Sequence, residues 1–173
     1  MAVILDGKKL AADIRANLAE RIHALPFVPG LAVVLVGNDP SSHLYVSLKK
    51  RACDEIGVRC EIHAFDETFS QTELLELIAT LNAREDIDGV LIQLPLAGQD
   101  ENRAVSAIDP QKDVDGFHPV NLSALDAGHP GLIPAAALGI LRLIAETKKD
   151  LRGGTVALLC SELFARPLVA LLS

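Results

Sequence analysis

Two short runs of almost uninterrupted apolar residues, LAVVLVG at 31–37 and GVLIQLPL at 89–96, set the strongest limit on what this chain can fold into. A strand with one solvated face alternates apolar and polar residues. A strand that is apolar at nearly every position is buried on both faces, the condition of a parallel sheet covered by helices. The intervening segments supply those helices. Leu10, Ile14, Leu18 and Ile22 recur at helical spacing. Asp39 as N-cap, Pro40 at the first helical position and Gly57 just past the end bracket a helix over 40–56. Ser70 and Glu73 form a capping box ahead of a helix over 71–83. With a further strand over 58–65, the order is that of an α/β fold, a three-layer α/β/α domain with a mostly parallel sheet.

The downstream third reads differently. Residues 121–134 (NLSALDAGHPGLIP) are rich in Gly, Pro and small side chains, which marks a boundary or a long surface connection. A helix over 135–148 follows, then a strand at 155–160 (TVALLC) and a short helix over 162–173 with Pro167 inside it. The expected organisation is a domain over 1–123, a connecting segment and helix over 124–148, and the start of an incomplete Rossmann-like domain over 149–173. The 173 residues suffice for one domain with a real core and part of another.

Composition excludes several classes of partner. A net charge of −7, with no Lys/Arg run longer than the three at 49–51, leaves no electrostatic footprint for nucleic acid or an anionic membrane. Cys53, Cys60 and Cys160 are odd in number and widely spaced, which argues against a disulfide framework and for a reducing cytoplasm. The five histidines lack metal-ligand spacing, so no metal is expected. The N-terminus has only a four-residue apolar run and no basic region, and nothing later approaches the roughly 18 apolar residues of a membrane span.

Chemistry concentrates at three places. On the helix over 40–56, Lys49 falls in a stripe formed by Tyr45, Leu48, Ala52, Cys53 and Ile56. Desolvation there would lower the lysine pKa toward an acid/base range, although on spacing alone the pattern favours a stem lying across the stripe with its head in water. Gln93 is the strongly polar residue of the 89–96 run, with Pro95 soon after it, which places an amide near the carboxyl end of a strand. It either ties down a neighbouring loop or serves a ligand. In the loop over 112–119, Asp113 and Asp115 stand beside Gly116. A calcium loop with Gly116 at its sixth position would put Gln111 first and Leu122 twelfth, so that reading fails. The remaining choices are a pair of turn-capping aspartates and a carboxylate placed to accept two N–H bonds from a planar amino-heterocycle. No nucleophile elbow, Walker loop or complete G-x-G-x-x-G is present.

Taken in order, VLVGNDPSSHLYVSLKKRACDEIGV, GVLIQLPL and DPQKDVDGFHPVN closely resemble the bifunctional methylenetetrahydrofolate dehydrogenase/methenyltetrahydrofolate cyclohydrolase enzymes, over essentially residues 1–123. The resemblance implies that Tyr45 and Lys49 are the aromatic platform and catalytic lysine of the family's Y-x-x-x-K pair. It also implies that Gln93 tunes that lysine and that Asp115 holds the pterin end of a folate. Catalytic roles would thus fall to Lys49, Gln93 and Asp115, and substrate binding to these three with Tyr45. NADP as cofactor, a tetrahydrofolate derivative as substrate and a homodimer are likewise implied.

The same resemblance exposes departures. The family's P-C-T-P-x-G stretch reads Pro134-Ala135-Ala136-Ala137-Leu138-Gly139 here. Its glycine-rich G-x-S-x-x-V-G-x-P cofactor turn corresponds to residues 159–167, with Leu159 and Ala165 at both glycine positions. Ser161 and Arg166 are the residues left there to bind a cofactor, while Leu159 adds bulk and Glu162 adds negative charge where a phosphate would lie. Family members continue beyond the position of Ser173. The expectations are therefore a folate-dependent enzyme in which cyclohydrolase chemistry is better preserved than dehydrogenase chemistry, a non-catalytic folate-binding or interaction module derived from one, or a shortened form of a complete enzyme.

Overall fold

In the computed structural model, which describes residues 4–173, helices and strands alternate through the first 93 residues. The first residues of the N-terminal apolar run lie outside the described part. The elements are α1 (Gly7–His23), β1 (Gly30–Val36), α2 (Pro40–Ile56), β2 (Arg59–Phe65), α3 (Gln71–Ala83), β3 (Gly89–Gln93), α4 (Glu101–Ser106), α5 (Pro119–Asp126), α6 (Ala135–Ala145) and α7 (Glu162–Leu172).

Strand order is β2-β1-β3 and both pairings are parallel. Central β1 sends alternate side chains to opposite faces, as the period of two requires. Ala32, Val34 and Val36 meet Leu74, Ile78 and Leu81 of α3, with Ile87, Val90 and Ile92 completing that layer. Val33 and Leu35 meet Val46 and Cys53 of α2, together with Cys60 and Leu91. The unbroken apolar run in β1 therefore has a direct cause, since each face of the sheet is roofed by a helix. Each fully buried Val or Leu contributes about 1.5–3 kcal/mol relative to exposure.

The helix limits follow from local chemistry. Asp39 accepts from the Ser42 N–H at 2.7 Å, and Gly57 closes α2 in the left-handed region at φ 84°. The capping box of α3 is complete, with Ser70 N donating to Glu73 Oε2 at 2.8 Å and Glu73 N donating to Ser70 Oγ at 3.3 Å.

Several expectations shift. The buried line of α2 runs through Ser42, Val46 and Cys53, so its centre is Val46 rather than Tyr45, which is 58% exposed. α1 forms where its spacing predicts but buries no residue fully; it lies against α2, with Arg15 Nε bonded to Glu55 at 2.9 Å. β3 stops at Gln93 because Pro95 has no N–H to offer the ladder. The segment read as a surface connection contains most of α5, begun by Pro119 and anchored by buried Asn121 and Leu122. α6 ends at Ala145, three residues early. Finally, 155–160 is not a strand: all six residues are exposed and none pairs with a described strand. An apolar sequence becomes a strand only when a neighbouring edge satisfies its backbone. After it, α7 packs on α5 and α6 and buries Pro167 and Leu168.

Candidate active site

The carboxyl end of β3 opens toward a cleft of about 660 Å³. Tyr45, Lys49, Gln93, Asp115 and Glu101 contribute its polar lining, and Leu94, Pro95, Phe117, Leu163 and Phe164 much of its apolar wall. All four residues singled out in the sequence as folate-site residues thus meet in one place.

Lys49 arrives there because positions 42, 46, 49 and 53 share one line of α2. Its neighbours on that line, Ser42, Val46 and Cys53, are buried against the sheet. Its stem therefore lies along the core, and its head emerges at the end of β3. The ammonium nitrogen donates to Gln93 Oε1 at 2.8 Å, and Gln93 Nε2 donates in turn to the Leu94 carbonyl at 2.8 Å. Gln93 thus both ties down the adjoining backbone and fixes the lysine head. Burial pushes the Lys49 pKa below the ordinary lysine value, while the negative charge of Asp115 partly opposes that shift.

Of the two aspartates of the 112–119 loop, one caps the turn and the other lines the cleft. Asp113 is 1% exposed and caps the turn, accepting from Gly116 N at 3.1 Å, His118 N at 2.8 Å and Asn121 Nδ2 at 3.0 Å. Asp115 is only half-buried and lines the cleft. Burial raises its pKa, with Lys49 acting in the opposite direction and Asp113 adding a smaller upward push. The loop reverses at Gly116, whose φ is 76° and where a Cβ would stand 2.6 Å from the Pro134 nitrogen, so only glycine fits. The loop is held to the sheet by Val90 N donating to the Lys112 carbonyl at 2.7 Å, and to the end of α3 by Lys112 Nζ donating to the Asn82 and Arg84 carbonyls at 2.8 and 2.7 Å.

Sequence reasoning missed Glu101, Phe117, Leu163 and Phe164. Glu101 opens α4 and accepts from Leu96 N at 3.0 Å. Phe117 follows the Asp113–Gly116 turn directly, a position that could have been flagged from its place beside Asp115. Leu163 and Phe164 carry no local signal, because they come from the distant helix α7.

The 5–115 segment matches the family model described as tetrahydrofolate dehydrogenase/cyclohydrolase, catalytic domain. The chain belongs to that family. A curated relative, the bifunctional protein FolD of Acidiphilium cryptum, is 47% identical over 173 residues, covering 99% of this chain and 62% of the relative. Among solved structures, the bifunctional FolD enzyme of Campylobacter jejuni superposes with a TM-score of 0.91 at 36% identity, over 98% of this chain and 62% of that one. The Trypanosoma brucei enzyme, described as complexed with NADP cofactor and inhibitor, gives 0.83 at 28% identity over 88% and 54%. The chain thus spans somewhat over half the length of these members of the tetrahydrofolate dehydrogenase/cyclohydrolase family.

The family's cofactor turn has a different character in this member. Residues 159–167 contain no glycine, Leu159 stands fully in solvent ahead of α7, and Glu162 occupies the first helical turn, where a phosphate would be repelled. Ser161 sits at the N-cap position without a side-chain capping bond, and Arg166 is engaged with Asp126, its Nε at 3.0 Å from the carboxylate. Neither lines the cleft. These residues do not fit a dinucleotide pyrophosphate. Among the described residues no cluster of His, Cys, Asp and Glu is placed to hold a metal ion, and no helix is long and apolar enough to cross a membrane.

Proposed function

We propose that this chain serves folate one-carbon metabolism as a methenyltetrahydrofolate cyclohydrolase, with its site in the Lys49 cleft. The observation that carries this reading is the Lys49–Gln93 hydrogen bond of 2.8 Å inside a cleft shared with Asp115 and Tyr45. Its substrate is the 5,10-methenyl cation of a tetrahydrofolate, whose bridging carbon is open to attack by water.

Each residue has a definable task. The neutral form of Lys49, favoured by burial, accepts a proton from the water as its oxygen bonds to the bridging carbon. The resulting ammonium then returns a proton to the ring nitrogen as the carbon–nitrogen bond breaks, and the remaining hydroxyl proton is released to solvent as the carbon–oxygen double bond forms, leaving the formyl group on the other nitrogen and one proton in solution. Gln93 Oε1 fixes one lysine hydrogen and so aims the lone pair. Asp115, when ionised, accepts two N–H bonds from the amino edge of the pterin, and the exposed ring of Tyr45 provides a surface for a flat ligand. The family's dehydrogenase reaction is assigned no step here, because the 159–167 turn does not fit a dinucleotide. We assign the catalytic domain to residues 1–123 and treat 124–148 as its connecting segment; a homodimer in the cytoplasm is the assembly and compartment this reading carries.

The test is the loss of 5,10-methenyltetrahydrofolate absorbance with purified protein and a Lys49→Ala control. Decay above the spontaneous rate that falls by about 10²–10⁴-fold in the control supports a proton-transfer role for Lys49. Equal decay with both proteins and with buffer, in folded samples, rejects hydrolysis and leaves a folate-binding module.

A further inference from the structure

We infer that Phe164, on α7, is a substrate-binding residue of the folate cleft, so that the beginning of α7 serves the folate rather than a nucleotide. This rests on the reading above that the cleft takes a folate. Aromatic side chains are scarce in this chain, which has one tyrosine, five phenylalanines and no tryptophan. Three of those six rings, Tyr45, Phe117 and Phe164, line a single cleft. Such a concentration suits a ligand built of flat aromatic units.

The helix that carries Phe164 is anchored at several points, and Phe117 meets the Phe164 ring edge to face, with centroids 5.6 Å apart and planes at 86°. One turn later on the same side of α7, Leu168 is buried, as is Pro167. Arg166 ties the helix to Asp126 of α5. Leu163 lines a neighbouring cavity together with Leu94, Val105, Phe117 and Pro119. Yet Phe164 itself remains 44% exposed and faces the cleft, so the ring is held on one side by Phe117 with apolar surface still to cover. A ring preorganised by its neighbours loses little conformational freedom when a ligand stacks on it or meets its edge. By the resemblance, Phe164 falls at the valine position of the G-x-S-x-x-V-G-x-P motif, so a larger ring stands there, in a turn without glycine.

The experiment measures binding of 5-formyltetrahydrofolate, which lacks the reactive methenyl bridge, to the wild-type chain and to Phe164→Ala, Phe164→Leu and Phe164→Tyr, with thermal unfolding of each. The expected result is a Kd raised roughly tenfold in Phe164→Ala, less in Phe164→Leu, and restored in Phe164→Tyr. Val156→Ala, which lies outside the cleft, should bind within a few-fold of wild type. An unchanged or lower Kd in Phe164→Ala overturns the inference and leaves the folate reading standing. If Phe164→Ala unfolds, the comparison of Phe164→Leu with Phe164→Tyr decides: equal affinities reject an aromatic contact. No binding to the wild-type chain overturns the folate reading and this inference with it.

Discussion

At the scale of single residues, the cleft is governed by the mutual influence of Lys49 and Asp115. Burial lowers the lysine pKa from its ordinary 10.5, and Asp115 works against that shift. Trinitrobenzenesulfonate labelling of Lys49 across a pH series, read by peptide mass, should therefore titrate below the ordinary lysine value. In Asp115→Asn the midpoint should move lower still, because the charge that favours the ammonium form is gone. A midpoint that stays or rises would remove Asp115 as its electrostatic partner. The same shift has a consequence for stability. The unfolded chain holds the Lys49 proton more tightly than the folded chain, so this residue costs stability in full below its folded-state pKa. That cost fades as pH rises from there to the ordinary lysine range. Lys49→Met, which keeps an apolar stem, should stabilise the fold at neutral pH by on the order of 1 kcal/mol while abolishing hydrolysis. Urea denaturation at pH 7 measures this; a destabilised variant would mean that the Gln93 bond outweighs the burial cost.

Among elements, the loop between β3 and α5 carries Asp115, and Asp113 holds that loop in shape. Asp113→Ala would strand the His118 N–H and one hydrogen of the Asn121 amide, while Gly116 N keeps the residue-113 carbonyl at 3.2 Å and Asn121 Nδ2 keeps the Pro110 carbonyl at 2.9 Å. Each of these two lost partners costs about 1–3 kcal/mol, so a loss of roughly 2 kcal/mol or more in chemical denaturation is expected. A loss under 1 kcal/mol would show that water replaces the carboxylate. Much at this scale was legible in the sequence. The ends of α2 and α3 followed from Asp39, Gly57, Ser70 and Glu73, because caps are local hydrogen-bonding choices made within four residues. The exact face of α2 was not, since rotation about the helix axis depends on where β1 places Val33 and Leu35. α4 escaped notice because it has only six residues and Asp100 is its one clear signal. The expected strand at 155–160 failed for the opposite reason: its local pattern is sound, but pairing is a property of a neighbour. For the cleft, residues on the matched segment were readable from motif spacing, whereas Phe164 required knowing that α7 returns across α5.

For the molecule as a whole, a well-covered sheet stands beside an uncovered apolar stretch. Both faces of β1 are roofed, but Val156, Leu158 and Leu159 project into solvent ahead of α7, and Leu138 and Ile140 on α6 are also exposed. Their hydrophobic surface favours association, while a net charge of −7 opposes it through long-range repulsion. The two forces differ in reach: charge repulsion is screened within about 8 Å at physiological salt, whereas apolar contact is not weakened by salt. Self-association should therefore strengthen as ionic strength rises, and Val156→Lys with Leu159→Lys should suppress it without altering the Lys49 cleft, which neither residue lines. Light scattering coupled to size-exclusion chromatography at low and high salt tests this directly. Association that persists unchanged in the double variant would move the contact to another surface, and association that weakens with salt would make it ionic rather than hydrophobic.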